Sequence, residues 1–316
     1  MLMEVRGRPL HFGVQLQAQR TSWQDYVAAL RSVEELGFDS AWTFDHLLPF
    51  SGADDGACFE TLTTLAAMAT LTSRVRIGVL VNGVLYRDPA TLAKSAALVD
   101  HISGGRLEFS LGAAWAEREF RTYGLPFAPL AERYDRLDEA LQIIRSLWRE
   151  QRTTFVGHYY RVEDAPCEPK PLQQPHPPIT IGGSGLGTLR LAAKHATTWN
   201  MQGSPGKLAE RSALLRGCCE EVGRDFDEIE LSVHPVLALA RTREDAEALA
   251  SRTAASHGQD LEGQRGNWLL GTPAEVADQI RSYAEVGISH WVIGIGHPFD
   301  MTQLRLLRED VLPALG

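Results

Sequence analysis

The stretch PPITIGGSGLG, residues 177–187, decides much of the fold because it joins a strand to a helix through clustered glycines. A short β-branched run ends in four glycines within six positions, and an amphipathic segment follows at once. Glycine lets the backbone turn tightly and brings amide groups close to a ligand. The helix start adds unpaired N–H donors and a positive dipole end, which suit a phosphate. The stretch therefore predicts a phosphate cradle, with a tight turn that binds nothing as the alternative.

Two familiar phosphate-binding loops do not fit these glycines. No register of the stretch gives G-x-G-x-x-G, and there is no lysine-containing Walker loop. A dinucleotide fold also needs an acidic residue about 20 positions further on. Nothing acidic occurs between Thr188 and Ala209. The cradle is therefore not of the Rossmann type.

Composition limits the class of protein and of partner. The 316 residues are 44% hydrophobic and 22% charged, as in an ordinary globular protein, and no composition shift divides them, so we expect one domain, 1–316. The net charge is −9 and no basic block occurs, so nucleic acid is not expected as a partner. No apolar run is long enough for a membrane helix, and no signal peptide opens the chain. Four cysteines without metal-binding spacing predict a cytoplasmic protein and no metal site.

One unit of strand, loop, helix and tight turn recurs along the chain. The expected strands are near-continuously apolar, as strands covered on both faces should be, and they span 11–16, 40–44, 75–81, 106–111, 179–181, 196–200, 229–237 and 290–295. Eight such units predict an α/β fold, a (β/α)8 TIM barrel, in preference to an open doubly wound sheet. Longer excursions at 112–130 and 257–270 predict insertions after strands four and seven.

Ligand groups of such a barrel collect at the carboxyl ends of its strands. Asp45-His46, after the second expected strand, is the best acid–base pair, because an oriented imidazole can move protons near neutral pH. The alternative is an aspartate that caps the next turn beside a solvent-facing histidine. Glu119, just after strand four, is a third candidate catalytic group, and a solvated helix face explains it equally well.

Several segments in one order carry a family resemblance. They include WTFDH (42–46), VNGVLYRDP (81–89), SGGRL (103–107) and GAAW (112–115), followed by the glycine stretch and Trp199-Asn200. In this order they resemble the luciferase-like monooxygenase superfamily, and most closely its F420-dependent oxidoreductase branch. The resemblance covers nearly the whole chain, from about His11 to Leu315.

The resemblance implies a flavin or deazaflavin at the carboxyl face of the barrel. It implies His46 as the group that moves a proton, with Asp45 and Glu119 as further catalytic residues. A non-proline cis peptide is expected within 82–84, and Ala114 stands where many relatives have glycine. The implied cofactor-binding residues are Asp45, Asn82, Gly83, Val84, Gly112, Trp115, Gly182, Gly183, Ser184, Gly185, Trp199 and Asn200.

The function implied first is an F420-dependent oxidoreductase that transfers a hydride between the deazaflavin and a small organic substrate. The alternative cofactor is FMN, in a two-component monooxygenase that uses reduced flavin and O2 and depends on a flavin reductase. A third possibility is a non-catalytic flavin-binding barrel. The expected partners are a small-molecule substrate and a second copy of the chain in a homodimer, and the substrate itself cannot be identified from the sequence.

Overall fold

Strands and helices alternate along the computed structural model, which describes residues 3–50, 55–258 and 260–316 and leaves out the side chain of residue 257. The strands are β1 (Glu4–Val5), β2 (Arg8–Pro9), β3 (His11–Leu16), β4 (Ser40–Thr43), β5 (Arg76–Val79), β6 (Asn82–Gly83), β7 (Leu107–Gly112), β8 (Thr153–Val156), β9 (Arg161–Ala165), β10 (Ile179–Gly182), β11 (Thr198–Met201), β12 (Glu230–Val233), β13 (Val236–Leu239), β14 (Trp268–Gly271) and β15 (Ile288–Ile295). The α-helices are α1 (Trp23–Glu35), α2 (Thr61–Leu71), α3 (Pro89–Ser103), α4 (Glu117–Thr122), α5 (Leu130–Arg149), α6 (Leu186–His195), α7 (Pro205–Glu221), α8 (Arg243–His257), α9 (Leu261–Gln264), α10 (Pro273–Glu285) and α11 (Met301–Leu306).

Eight parallel strands close into a barrel, in the order β3, β4, β5, β7, β10, β11, β12 and β15. The barrel closes because β15 pairs with both β12 and β3, and its strands are separated by helices on the outside. The expected (β/α)8 TIM barrel is therefore confirmed. All eight strands run the same way, so their carboxyl ends meet at one face, where a ligand site is expected.

Helix starts and stops follow the local sequence. The Ser22 hydroxyl accepts the amide of Asp25 at the start of α1. Asp88 caps α3 directly before Pro89, which occupies the first helical position because it needs no amide partner there. Gly104 ends α3 with φ of 68°, a left-handed conformation that glycine adopts without steric cost. These short-range signals fix the lengths of the helices that separate the barrel strands.

The predicted strand 229–237 is wrong, because two separate strands occupy it. The barrel strand β12 ends at Val233, and β13 begins at Val236 beyond His234-Pro235. Proline has no amide hydrogen for a central ladder, so the chain leaves the barrel there. Strand β13 then pairs in parallel with β14. The β14 segment was expected to be a polar excursion, and together β13, α8, α9 and β14 form the insertion after strand seven.

A buried polar cluster lies at the opposite, amino-terminal end of the barrel. The Glu230 carboxylate, on β12, lies 3.5 Å from His11 Nδ1 and 3.9 Å from His290 Nδ1, and it accepts the Ser289 hydroxyl at 3.1 Å. Burial raises the pKa of Glu230, but the His11 hydrogen bond and the charge of His290 outweigh it and lower the pKa to about 2. This cluster lies at strand starts, away from the ligand face, so it stabilises the barrel.

No helix within the described residues is both long enough and apolar enough to cross a membrane.

Candidate active site

A cavity of about 530 Å³ opens at the carboxyl ends of the barrel strands. Residues from the ends of five neighbouring strands line it, together with side chains from α5, α6 and α7. These lining residues include Asp45, His46, Leu80, Val81, Gly83, Tyr86, Gly112, Ala113, Ala114, Trp115, Tyr134, Gly182, Gly183, Ser184, Gly185, Thr188, Asn200, Lys207 and His234. Within the described part of the chain, no group of three or more His, Cys, Asp or Glu side chains could hold a metal ion.

His46 is oriented by a carboxylate from the insertion after strand four. Its Nδ1 lies 2.7 Å from Glu119 Oε1, while Glu119 Oε2 accepts the Leu47 amide at 2.9 Å and the Tyr86 hydroxyl at 2.7 Å. Burial raises the pKa of Glu119, but the His46 hydrogen bond and charge, with the Leu47 and Tyr86 bonds, lower it below its usual range. An ionised carboxylate only accepts hydrogen bonds, so His46 Nδ1 carries a proton.

That arrangement leaves Nε2 as the reactive nitrogen of His46. Within the described residues no protein group bonds to Nε2, and His46 lines the cavity. The His46 ring packs against Phe50 and Trp115, at centroid distances of 5.1 and 5.3 Å. The neutral ring can therefore accept a proton at Nε2, and the protonated ring can donate one there.

Asp45 is held by different partners from those of its neighbour His46. Its carboxylate accepts Arg87 Nη1 at 2.8 Å and the Gly83 amide at 2.9 Å, and its side chain is 1% exposed. Burial lowers the pKa of Arg87, but the charges of Asp45 and Glu60 outweigh it and raise the pKa. Because these partners engage the carboxylate, Asp45 positions the backbone after β5.

The glycine loop turns from β10 into α6 as the sequence predicted. Gly183 has φ of 129°, its amide donates to the Asn200 carbonyl, and its carbonyl accepts Trp199 Nε1 at 2.8 Å. Gly185 precedes α6 and offers no side-chain cap, so the first amides of that helix are available to a ligand. A Cβ on Gly185 would lie 2.5 Å from the Tyr134 hydroxyl, so close packing also requires glycine there.

Val81 forms the wall opposite the loop and fits between two glycines. A Cβ on Gly112 would lie 2.7 Å from Val81 Cγ2, and one on Gly182 would lie 2.8 Å from Val81 Cγ1. The non-proline cis peptide joins Leu80 to Val81, so its predicted place within 82–84 is wrong.

The structure brings most of the predicted residues to one cavity, but not all of them. Asn82, Val84 and Trp199 are buried behind the lining, where Trp199 holds the glycine loop and the Asn82 amide donates to the Ser110 carbonyl at 3.0 Å. Glu119 also stands behind the lining, and it acts through His46.

Sequence reasoning missed four further groups of the cavity. Tyr86 lies within the quoted VNGVLYRDP segment and was not singled out. Tyr134 was assigned to a helix without a role. Lys207 follows the Ser204-Pro205 helix start, a signal that would have placed it at a strand end. His234 was listed at a strand end, and burial lowers its pKa to about 4.

Comparison with known proteins gives relatives of both expected cofactor classes. The chain is 32% identical over 97% of its length to the F420-dependent glucose-6-phosphate dehydrogenase of Microbacterium testaceum, of which it covers 98%. It is 28% identical over 88% of its length to the FMNH(2)-dependent dimethylsulfone monooxygenase of Pseudomonas putida, of which it covers 85%. The expectation of an oxidoreductase that uses F420 or FMN is therefore supported.

A solved structure agrees with the fold. An F420-dependent secondary alcohol dehydrogenase in complex with an F420–acetone adduct superposes with a TM-score of 0.84 at 21% identity, over 98% of this chain and 99% of that one. The family model of luciferase-like monooxygenases matches residues 9–290. Together with the barrel and its cavity, that match means that this chain belongs to the luciferase-like monooxygenase family.

Proposed function

We propose that this protein is an F420-dependent oxidoreductase that acts on a small organic substrate. The observation that carries the proposal is the His46 ring, held by Glu119 with its free nitrogen facing the cavity. Hydride transfer to or from an organic carbon is accompanied by movement of a proton, which this nitrogen can accept or donate. The F420-dependent dehydrogenases that match nearly the whole chain support the choice of cofactor.

The residues present fit such a cofactor. The uncapped start of α6 and the turn at Gly182–Gly185 offer backbone donors for a phosphate. The cavity volume, about 530 Å³, lies in the range of cofactor sites. Bound F420 would supply a carbon that donates or accepts a hydride.

The chain's own residues then bind, orient and protonate. The Gly112 and Gly182 backbones, packed on Val81, shape one wall of the cavity, and Asp45 fixes that wall through the Gly83 amide. His46 Nε2 takes the proton of an alcohol in the oxidative direction, or gives one in the reductive direction. Glu119 holds the tautomer that makes either step possible.

FMN is the second candidate cofactor, favoured by the match to an FMNH(2)-dependent monooxygenase over 88% of the chain. The same backbone donors suit the phosphate of FMN, and a flavin reductase would then be a partner. A homodimer and a cytoplasmic location stay predictions, which size-exclusion chromatography with light scattering and cell fractionation would measure.

Fluorescence titration tests the cofactor directly. The purified chain is titrated with F420 and, under anaerobic conditions, with reduced FMN. Quenching of F420 at micromolar concentration, with no binding of reduced FMN, supports the proposal. The reverse pattern replaces it with the monooxygenase, and binding of neither cofactor contradicts both. His46→Gln is expected to keep the F420 affinity and to lose turnover.

A further inference from the structure

A second cavity, of about 570 Å³, opens at the same face of the barrel. We name it the rim cavity. It lies between α8 and the ends of β3 and β15, where Gln17, Gly294 and Ile295 line it. Its lining shares no residue with the cavity described above. Loops after the seventh and eighth barrel strands form it, and in barrel enzymes these loops commonly bind an anionic group of the ligand.

The walls of the rim cavity are largely apolar. Val236 and Leu237 from β13, Leu249 from α8, Ile295 from β15, and Phe299 line it. Apolar walls suit a hydrocarbon or ring-bearing ligand, because they offer no partners to the hydroxyl groups of a sugar.

One cation stands in this lining without a partner. Arg252, on α8, forms no hydrogen bond or ion pair with any residue that the structure describes. The acidic side chain of the lining, Asp300, accepts the Thr302 amide at 3.0 Å, and the histidine of the lining, His297, lies 3.7 Å from Asp25. The Arg252 guanidinium is therefore free to bind a carboxylate, which it can do with two parallel hydrogen bonds.

Direct contacts connect the rim cavity to His46. The Gln17 side chain accepts a hydrogen bond from Gln19 at 3.3 Å, and the Gln19 side chain accepts the Phe50 amide at 3.0 Å. The Phe50 ring packs on His46 at 5.1 Å between centroids. The rim cavity therefore adjoins the proton-moving group through one layer of side chains.

A second contact joins the two cavities. His234 lines the first cavity, and a Cβ on Gly294 in the rim cavity would lie 2.9 Å from His234 Nε2. Only glycine fits between the two, so the partition is one side chain thick.

We propose that the rim cavity binds the substrate, and that the substrate is an organic acid with an apolar body. Its carboxylate pairs with Arg252, and its hydrocarbon part packs against Leu249, Ile295 and Phe299. This inference rests on the proposed function, because it assigns the other cavity to the cofactor. It also separates this chain from its sugar-phosphate-oxidising relatives, since the rim cavity has an apolar wall where a sugar needs hydrogen bonds.

Isothermal titration calorimetry with octanoate and 1-octanol tests the assignment on the full chain without cofactor. The wild-type protein should bind octanoate more tightly than octanol. Arg252→Gln should weaken octanoate binding about ten-fold or more and leave octanol binding unchanged, because it removes a charge-assisted bond. Ser256→Trp, which fills the cavity from the exposed side of α8, should abolish binding of both probes.

The matched control is Arg241→Gln, which removes an exposed arginine that pairs with Asp310 instead. It should bind octanoate as the wild-type protein does. Equal affinity of octanoate and octanol, or an unchanged octanoate affinity in Arg252→Gln, overturns the proposal. F420 titration of the same variants keeps the two claims apart. Retained F420 binding with no octanoate site refutes the substrate class alone, and octanoate binding without F420 binding refutes the proposed function.

Discussion

Replacing Glu119 with glutamine changes the proton position on His46 while it leaves the shape of the site almost unchanged. Glu119 Oε2 accepts two hydrogen bonds, from the Leu47 amide and the Tyr86 hydroxyl, whereas Oε1 accepts one, from His46 Nδ1. A glutamine therefore keeps its oxygen at the first position and turns its NH₂ toward His46. His46 Nδ1 must then accept, so the proton moves to Nε2.

The expected loss follows from that change of tautomer. A neutral ring with its proton on Nε2 cannot accept another proton from a substrate there. General acid–base catalysis contributes on the order of 10²- to 10⁴-fold, so we expect kcat to fall by about 10³-fold. The F420 affinity should change little, because Glu119 stands behind the cavity lining.

Two measurements test this prediction. Long-range ¹⁵N–¹H NMR of labelled histidine reports which nitrogen of His46 is protonated, and steady-state turnover reports kcat and KM separately. Glu117→Gln, two residues earlier on α4 and exposed, is the matched control and should behave as the wild-type protein does. An unchanged tautomer, or wild-type turnover in Glu119→Gln, would refute the reasoning.

Three further predictions concern the support of the site and the barrel. Asp45→Asn leaves the buried Arg87 without its main partner, so urea denaturation should show a loss of about 3 kcal/mol in the free energy of unfolding, and unchanged stability would contradict the ion pair. Trp199→Phe removes the bond to the Gly183 carbonyl, so the F420 affinity should fall about five-fold by fluorescence titration, and an equal affinity would mean that the loop needs no such support. The pKa of Glu230 is about 2 when folded and near 4.5 when unfolded, since two histidines outweigh burial, so this carboxylate stabilises the fold above pH 4.5 and loses about 3 kcal/mol of that effect as the pH falls toward 2. Glu230→Gln should be less stable at pH 7 and should lack this part of the acid transition, and a pH profile like that of the wild-type protein would refute the assignment.

Short-range sequence signals predicted the barrel well, because helix caps and glycine stops act within a few residues. Ser22, Asp88 and Gly104 each begin or end a helix at the expected place. The insertion after strand seven was harder to predict. Pro235 interrupts an apolar run that otherwise looks like one strand, and only the partner strand β14 reveals that the second half leaves the barrel.

The site was only partly predictable, because its partners come from distant positions. Asp45 and His46 are neighbours in the sequence, but the first binds Arg87, 42 residues away, and the second binds Glu119, 73 residues away. Nothing in the local pattern distinguishes those two roles. Trp199 was expected at the ligand, and it turns instead toward the Gly183 carbonyl because a buried indole N–H requires an acceptor.

The most direct test of the account is a crystal structure of the protein with F420 bound. The account predicts the phosphate at the first amides of α6, after Gly185, and the deazaflavin ring beside Val81. It also predicts His46 Nε2 facing the reacting carbon, close enough for a proton to pass directly or through one water. A phosphate bound elsewhere, for example at Arg252, or a ring on the far side of the barrel face from His46 would contradict it.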